Sequence, residues 1–119
     1  MRPRRSHSPR MLRTLPWLGL TALLLTAAAA AQQGVSAHLA VRNHRFEPAE
    51  IHVPANHPVA LTVRNLDGAD IEFESVSLRV ERVIPAGSQG TINLRPLQPG
   101  RYTFFDDFHP QTRGTLVVP

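Results

Sequence analysis

From about residue 36 onward, the chain is a series of short runs in which hydrophobic and polar residues alternate. Val59, Leu61 and Val63 show the pattern clearly, and Ile71 and Phe73 repeat it after a polar turn. Alternation with a period of two is typical of a β-strand that is buried on one face. The runs recur at about ten-residue intervals between turns rich in proline, glycine and asparagine, which indicates a β-sandwich. The pattern predicts an all-β domain, a Greek-key sandwich of seven or eight strands.

One segment interrupts the alternation. Phe46-Glu47-Pro48 follows the first run, and proline cannot donate a hydrogen bond within a sheet. We therefore expect the chain to cross from one sheet to the other at this point.

The N-terminal 31 residues differ in composition from the rest. Five arginines precede an apolar run over 15–25 and an alanine run over 27–31. This order is typical of a cleavable signal peptide, with cleavage between Ala31 and Gln32. The sequence predicts a signal peptide over 1–31, a domain over 32–119, a periplasmic location, and no membrane insertion after cleavage. Met1 and Met11 are both possible starts, and the export route stays open.

The predicted domain over 32–119 has eight arginines, no lysine and nine acidic residues, and so a net charge of about −1. A weakly acidic domain without a basic patch is not expected to bind nucleic acid. It also contains no cysteine and no methionine. Any metal site must therefore use carboxylate, imidazole, carbonyl or water ligands.

The stretch 99–118 combines strand pattern with chemistry. A Pro-Gly turn opens a run in which Tyr102 and Phe104 alternate with polar residues, and a loop with two aspartates and His109 follows. A second strand begins near Gly114. This order resembles the metal-binding loop of cupredoxins, Gly-x-Tyr-x-Phe-x-Cys-x-x-His-x-x-Met.

A wider set of short patterns resembles the EfeO-type cupredoxin-like family, and is most similar to the periplasmic component of bacterial ferrous-iron uptake systems. The resemblance implies a cupredoxin-type sandwich. It also implies two partners, an Ftr-type iron permease and a periplasmic metal-binding protein, and a role in binding or oxidising iron, with or without copper. The patterns are Phe46-x-Pro48, Val53-Pro54-Ala55, Val63-x-Asn65-x-Asp67, Ile71-Glu72-Phe73-Glu74-Ser75, Pro85-Ala86-Gly87, Leu97-x-Pro99-Gly100-x-Tyr102 and Phe104-Phe105-x-x-Phe108-His109.

The chain departs from blue-copper proteins at three of the four ligand positions. Glu72 stands in place of the first histidine, Asp106 in place of the cysteine, and Thr112 in place of the methionine. Only His109 matches directly. A type 1 copper site needs the thiolate, so the chain is not a blue-copper electron carrier.

The replacements suggest a different metal site. Carboxylates with one imidazole suit iron or copper(II), and we predict one of these ions as cofactor. The alternative is an exposed loop that holds polar residues and no metal. The predicted ligands are Glu72, Glu74, Asp106, Asp107 and His109.

Strand alternation gives these ligands expected orientations. Glu72 and Glu74 share one face, about 7 Å apart. Asp106 is two residues from Phe104 and should therefore point inward with it. A buried carboxylate needs a metal, an arginine or several hydrogen bonds. Asp107 points the other way, although the resemblance places the acidic ligand there.

Several other residues are weaker candidates. His52 and His57 are expected to be solvated, whereas His44 precedes Phe46 and could approach the same end of the sandwich as His109. Glu81 is expected to form a surface ion pair with a neighbouring arginine. No arrangement of residues for nucleophilic catalysis is evident, so an enzyme is not expected beyond an accessory role in iron oxidation.

Two functions remain open from the sequence. One is a periplasmic metal-binding accessory protein of iron uptake. The other is a metal-free cupredoxin-like or Ig-like module that binds a partner protein. Fold alone does not separate them, because function depends on the site.

Overall fold

A computed structural model describes residues 2–11 and 34–119 of the chain. The predicted signal peptide, 1–31, lies outside the described residues except for 2–11, which are exposed and form no regular structure. Residues 34–119 form nine strands and no helix. The strands are β1 Val35–Arg42, β2 Arg45–Glu47, β3 Glu50–His52, β4 Val59–Asn65, β5 Ile71–Ser75, β6 Val80–Ile84, β7 Gln89–Leu94, β8 Gly100–Asp106 and β9 His109–Val118.

The all-β prediction is confirmed, with nine strands instead of seven or eight. The strands form a four-stranded sheet in the order β2-β1-β4-β7 and a five-stranded sheet in the order β3-β9-β8-β5-β6. The pairs β1–β4 and β3–β9 are parallel, and the other pairs are antiparallel. The strand β2 has only three residues, which is too short for alternation to reveal it.

The predicted crossover is confirmed at Pro48. The strand β2 ends at Glu47 in the first sheet, and β3 begins at Glu50 in the second. The Glu47–Pro48 peptide bond is cis. The chain thus changes sheets where the sequence loses its alternation.

The core beneath the β8–β9 turn is aromatic. The ring of Phe104 packs edge-on against Phe46 at 4.9 Å and is stacked on Phe73 at 5.0 Å, measured between ring centroids. Gly114 leaves room for this cluster, because a Cβ there would overlap the Phe104 ring. The cluster fixes the ends of β5 and β8, which carry the predicted ligands.

The turn between β1 and β2 has an unusual backbone. Asn43 and His44 both have positive φ, 51° and 56°, which is the conformation of a two-residue type I′ hairpin turn. Asn43 suits this conformation well, whereas glycine is the residue usually found at the second position, where this chain has His44. The turn places the His44 side chain beside the β8–β9 turn.

Within the described residues, we find no helix of the length and hydrophobicity needed to cross a lipid bilayer.

Candidate metal centre

The structure brings the five predicted ligands to the same end of the second sheet. Phe73 of β5 pairs with Asp106 of β8, and the Asp107 amide donates a 2.9 Å hydrogen bond to the Glu72 carbonyl oxygen. The β8–β9 turn therefore lies against the start of β5. The five side chains nevertheless divide into two groups.

The first group is a set of carboxylates on the outer face of the sheet. One carboxylate oxygen from each of Glu72, Glu74 and Asp107 lies within 4.8 Å of the other two. Glu81 of β6 is the cross-strand neighbour of Glu74. We call these four residues the acidic face. The predicted shared orientation of Glu72 and Glu74 is confirmed, because the residues between and beside them are buried.

The carboxylates of the acidic face repel one another. The pKa of Glu72 is raised from 4.5 to about 7, first by a hydrogen bond with Glu81, then by partial burial and by the surrounding negative charges. Partial burial, with the charges of Asp107 and Glu81, also raises the pKa of Glu74. Within residues 2–11 and 34–119, the acidic face is thus a set of mutually repelling carboxylates.

The expected ion pair of Glu81 with a neighbouring arginine is wrong for the described part of the chain. In that part, no arginine nitrogen lies within 4.0 Å of a carboxylate oxygen of the acidic face. The guanidinium of Arg82 instead donates a 3.0 Å hydrogen bond to the carbonyl oxygen of Thr91. Cross-strand pairing turns Arg82 toward the first sheet and Glu81 toward Glu74.

The second group is built around Asp106, whose side chain is completely buried. Its Oδ1 accepts hydrogen bonds from the amides of Glu72 and Phe108, at 2.9 and 3.0 Å. Its Oδ2 lies 2.7 Å from Nδ1 of His109. The predicted inward orientation is confirmed, and three N–H groups offset the desolvation of the carboxylate.

The predicted convergence of Glu72 with His109 is wrong. The backbone of Glu72 contacts Asp106, but its side chain points to the outer face with Glu74 and Asp107. His109 lies on the other side of the turn, against Asp106. The pairing of β8 with β9 shifts register between Phe105 and Asp106, just before the point where Asp106 and Asp107 turn to different sides.

His44 joins the second group, as the sequence left open. Its ring and that of His109 are 4.4 Å apart between centroids, with an angle of 44° between their planes. Thr112, at the position of the cupredoxin methionine, donates a 2.7 Å hydrogen bond from Oγ1 to the His44 carbonyl oxygen. The two imidazoles therefore meet at the end of the sandwich.

Asp67 completes this group and was not predicted as a site residue. Its carboxylate accepts hydrogen bonds from the amides of Asn43 and His44, and Oδ2 lies 3.9 Å from Nδ1 of His44. Burial alone would raise the pKa of Asp67, but the two backbone N–H groups hold it below its usual value. We call Asp106, His109, His44 and Asp67 the imidazole end. In the sequence, the Asn65-x-Asp67 pattern is the feature that could have identified Asp67 as a site residue.

The remaining histidines lie elsewhere. His52 is exposed and hydrogen-bonds to Glu50 Oε1 at 3.1 Å, as expected for a solvated residue. The same expectation holds only in part for His57, which is half-buried and whose Nδ1 is buried without a hydrogen-bond partner in the described residues. The turn that carries it is held against the sandwich by a 3.0 Å bond from the Asn56 amide to the Leu97 carbonyl oxygen.

The sequence over 15–118 matches the family model of the cupredoxin-like domain. The chain belongs to the cupredoxin-like domain family. An uncharacterized protein of Rickettsia prowazekii is 35% identical over 81 residues, which are 67% of this chain and 65% of that protein. The chain therefore spans slightly less than two thirds of the length of that relative.

Solved cupredoxin structures share the fold. The metal-binding domain of the Cu(I)-exporting ATPase CopA of Streptococcus pneumoniae superposes with a TM-score of 0.66 at 16% identity, covering 74% of this chain and 89% of that one. A purple cupredoxin of Nitrosopumilus maritimus gives 0.55 at 18% identity, covering 70% and 99%. An amicyanin variant gives 0.57 at 19%, covering 69% and 80%.

These structures include copper proteins, but this member of the family has no cysteine. The buried carboxylate of Asp106 stands at the position of the copper-binding thiolate and is already bonded to three N–H groups. The residues present therefore do not fit a type 1 copper centre. An ion held here must be bound by oxygen or imidazole ligands.

Proposed function

We propose that this cupredoxin-like protein is a periplasmic metal-binding accessory protein of iron uptake, and that the acidic face binds the ion. The observation that carries the proposal is the convergence of Glu72, Glu74 and Asp107, whose carboxylate oxygens lie within 4.8 Å of one another. Two of the three side chains stand on a strand, which holds their spacing. Ligands on a strand are positioned more rigidly than ligands on a loop.

The donor chemistry supports iron as the cargo. Carboxylate oxygens are hard ligands that suit iron and manganese, and several anionic oxygens stabilise Fe(III) over Fe(II). A bound cation would also relieve the repulsion that raises the pKa of Glu72 to about 7. Binding the ion and favouring its higher oxidation state are the two contributions we propose for this protein in uptake.

The surroundings of the acidic face support contact with a partner. Val83, the cross-strand neighbour of Glu72, is 50% exposed, and Phe108, next to Asp107, is 49% exposed. Apolar side chains beside a charged site suit transient docking. We propose an iron permease and a periplasmic metal-binding protein as the partners that contact this surface. The arginine-rich and alanine-rich composition of residues 1–31 supports export.

Calorimetric titration of the full-length protein with Mn(II), and with Fe(II) under anaerobic conditions, tests the proposal. The double variant Glu72→Gln/Glu74→Gln should lose at least about tenfold in affinity, because each neutralised ligand removes one anionic oxygen from the site. Glu47→Gln, on an exposed residue of the other sheet, is the matched control and should bind as the unmodified protein does.

Equal affinity of the double variant and the unmodified protein would contradict the proposed ion site. That result would favour the metal-free module that binds a partner through Val83 and Phe108. A Phe108→Ser variant would then be the next protein to examine, in a pull-down with the purified permease.

A further inference from the structure

The imidazole end contains two histidine rings in contact, and the acidic face uses neither of them. His109 has 35% of its side chain exposed and His44 has 54%, so both rings are open to solvent on one side. Their centroids are 4.4 Å apart. Two adjacent, solvent-accessible imidazoles on separate strand pairs are a candidate ligand pair for a metal ion.

The hydrogen bonds of His109 leave a suitable nitrogen free. Its Nδ1 lies 2.7 Å from Oδ2 of the buried Asp106. Because a carboxylate oxygen accepts hydrogen bonds, Nδ1 is the protonated nitrogen and donates a hydrogen bond to it. The lone pair is then on Nε2. A carboxylate that fixes the tautomer of a histidine in this way is the usual outer-shell partner of a metal-binding imidazole.

The backbone of His44 is also fixed by hydrogen bonds. Its carbonyl oxygen accepts the Thr112 hydroxyl at 2.7 Å, and its amide donates to Asp67 Oδ2 at 2.9 Å. The same carboxylate oxygen lies 3.9 Å from Nδ1 of the ring. Both imidazoles therefore have a carboxylate on the Nδ1 side, and neither Nε2 atom has a hydrogen-bond partner among residues 2–11 and 34–119.

The separation of the rings agrees with shared coordination. A metal about 2.0–2.1 Å from a histidine nitrogen lies about 3.2 Å from the ring centroid. Two such ligands at an angle of about 90° place their centroids about 4.5 Å apart. The observed centroid separation of 4.4 Å is close to this value, so the two rings are near enough to share one ion once their Nε2 atoms turn toward it.

We propose that His44 and His109 form a second metal site, which binds a borderline divalent cation, with Cu(II) preferred. Imidazole nitrogen suits this class of ion, and copper(II) heads the order of affinities for such ligands. Asp106 and Asp67 are positioning residues, and water completes the coordination. This site differs from the acidic face in its donor atoms, nitrogen here and oxygen there.

Copper(II) titration of the full-length protein, followed by electron paramagnetic resonance, tests the second site. The first equivalent of Cu(II) should show hyperfine coupling to two imidazole nitrogens. His109→Gln and His44→Asn should each lose one nitrogen coupling and at least about tenfold in affinity. Asparagine at 44 preserves the left-handed turn, and His52→Ala is the matched control, which should leave the spectrum unchanged.

The two proposed sites are distinguished by the carboxylate variant. Glu72→Gln/Glu74→Gln should leave the two-nitrogen copper spectrum intact, even if it abolishes binding of Mn(II). Loss of the nitrogen couplings in that variant would show one shared site and contradict the proposal. Retention of both couplings in His44→Asn or in His109→Gln would contradict it as well.

The positioning role of Asp106 has its own readout. In Asp106→Asn, long-range ¹H–¹⁵N NMR of the metal-free protein should show that His109 no longer occupies only the Nδ1-protonated tautomer, since the amide does not demand a donor as a carboxylate does. His52 should keep its tautomer. An unchanged tautomer at His109 would overturn this role.

Discussion

The acidic face and the imidazole end lie on opposite sides of one turn, and their carboxylates have opposite kinds of neighbours. At the imidazole end, Asp106 and Asp67 each accept hydrogen bonds from backbone amides and lie beside a histidine. On the acidic face, Glu72 and Glu74 have mainly other carboxylates as neighbours. At the imidazole end the protein itself supplies hydrogen-bond donors to the carboxylates, whereas the carboxylates of the acidic face are the ones that we propose bind an ion.

The difference separates two uses of a carboxylate. A buried carboxylate with fixed donors contributes to stability and orients its neighbours. A cluster of half-exposed carboxylates without donors reduces stability until a cation arrives. Asp106 and Asp107 are adjacent in sequence and fall into different categories, because only Asp106 points inward. The predictions below test this contrast.

Asp106→Ala should have the largest effect on stability. It removes the acceptor of the part-buried amides of Glu72 and Phe108, and each lost partner costs about 1–3 kcal/mol. We expect the free energy of unfolding to fall by about 2–5 kcal/mol in urea denaturation. The control Asp107→Ala changes an exposed side chain and should stay within about 0.5 kcal/mol. Similar losses of unfolding free energy in the two variants would contradict the proposed difference between the two aspartates.

Asn65→Ala should have the next largest effect, because this buried side chain organises the loop that carries Asp67. Its Nδ2 donates to the carbonyl oxygens of Ala69 and Ile84, and its Oδ1 accepts from the Asp67 amide. We expect a loss of about 1–3 kcal/mol by urea denaturation. Thr62→Ala, on an exposed hydroxyl pair, is a suitable control. A neutral result for Asn65→Ala would show that the loop does not depend on it.

The pH dependence of stability should reveal the acidic face. The pKa of Glu72 is about 7 in the folded protein and near 4.5 in the unfolded chain, so the folded state binds the proton more tightly. Between these values the unfolded state is deprotonated first, and stability falls as pH rises. The metal-free protein should therefore have a higher urea midpoint at pH 5 than at pH 7.5.

The variant Glu72→Gln identifies the source of this pH effect. Glutamine does not titrate, so the urea midpoint should change less between pH 5 and pH 7.5 than in the unmodified protein. The groups with lowered pKa, Glu50 and Asp67, act at more acidic pH and in the opposite direction. An identical pH profile for the variant would show that Glu72 does not carry the raised pKa.

Glu81→Gln should have the smallest effect on stability, and it should stabilise the protein, whereas the substitutions of Asp106 and Asn65 destabilise it. The change removes one negative charge from the acidic face and one of the groups that raise the pKa of Glu72. We expect a slightly higher melting temperature of the metal-free protein at pH 7.5, and a Glu72 pKa closer to 4.5 by carboxyl ¹³C NMR. A lower melting temperature would indicate that the hydrogen bond between the two glutamates outweighs their repulsion.

Much of the fold was predictable because it follows from alternation. Buried positions such as Leu61, Val63 and Phe73 stand at every second residue, and their period defines the faces of the strands. The break at Pro48 identified the crossover correctly. The very short β2 escaped detection, because three residues do not establish a period.

The candidate site was only partly predictable, because its layout depends on contacts distant in sequence. The alternation of residues along a strand correctly predicted that Asp106 points inward and that Glu72 and Glu74 lie on one face. It did not reveal that an irregular β8–β9 turn would place His109 away from Glu72. Nor could it place Asp67, whose approach to His44 joins residues 23 positions apart. Local patterns give orientation within a strand, whereas meetings between turns depend on the packed sandwich.

The left-handed backbone of the Asn43-His44 turn has a consequence for how related chains diverge. A type I′ turn is best satisfied by Asn-Gly, so His44→Gly would relax the backbone and remove one imidazole in the same step. Relatives in which this position does not bind metal should therefore accept Asn-Gly here readily. An alignment of such relatives could be sorted by this one position.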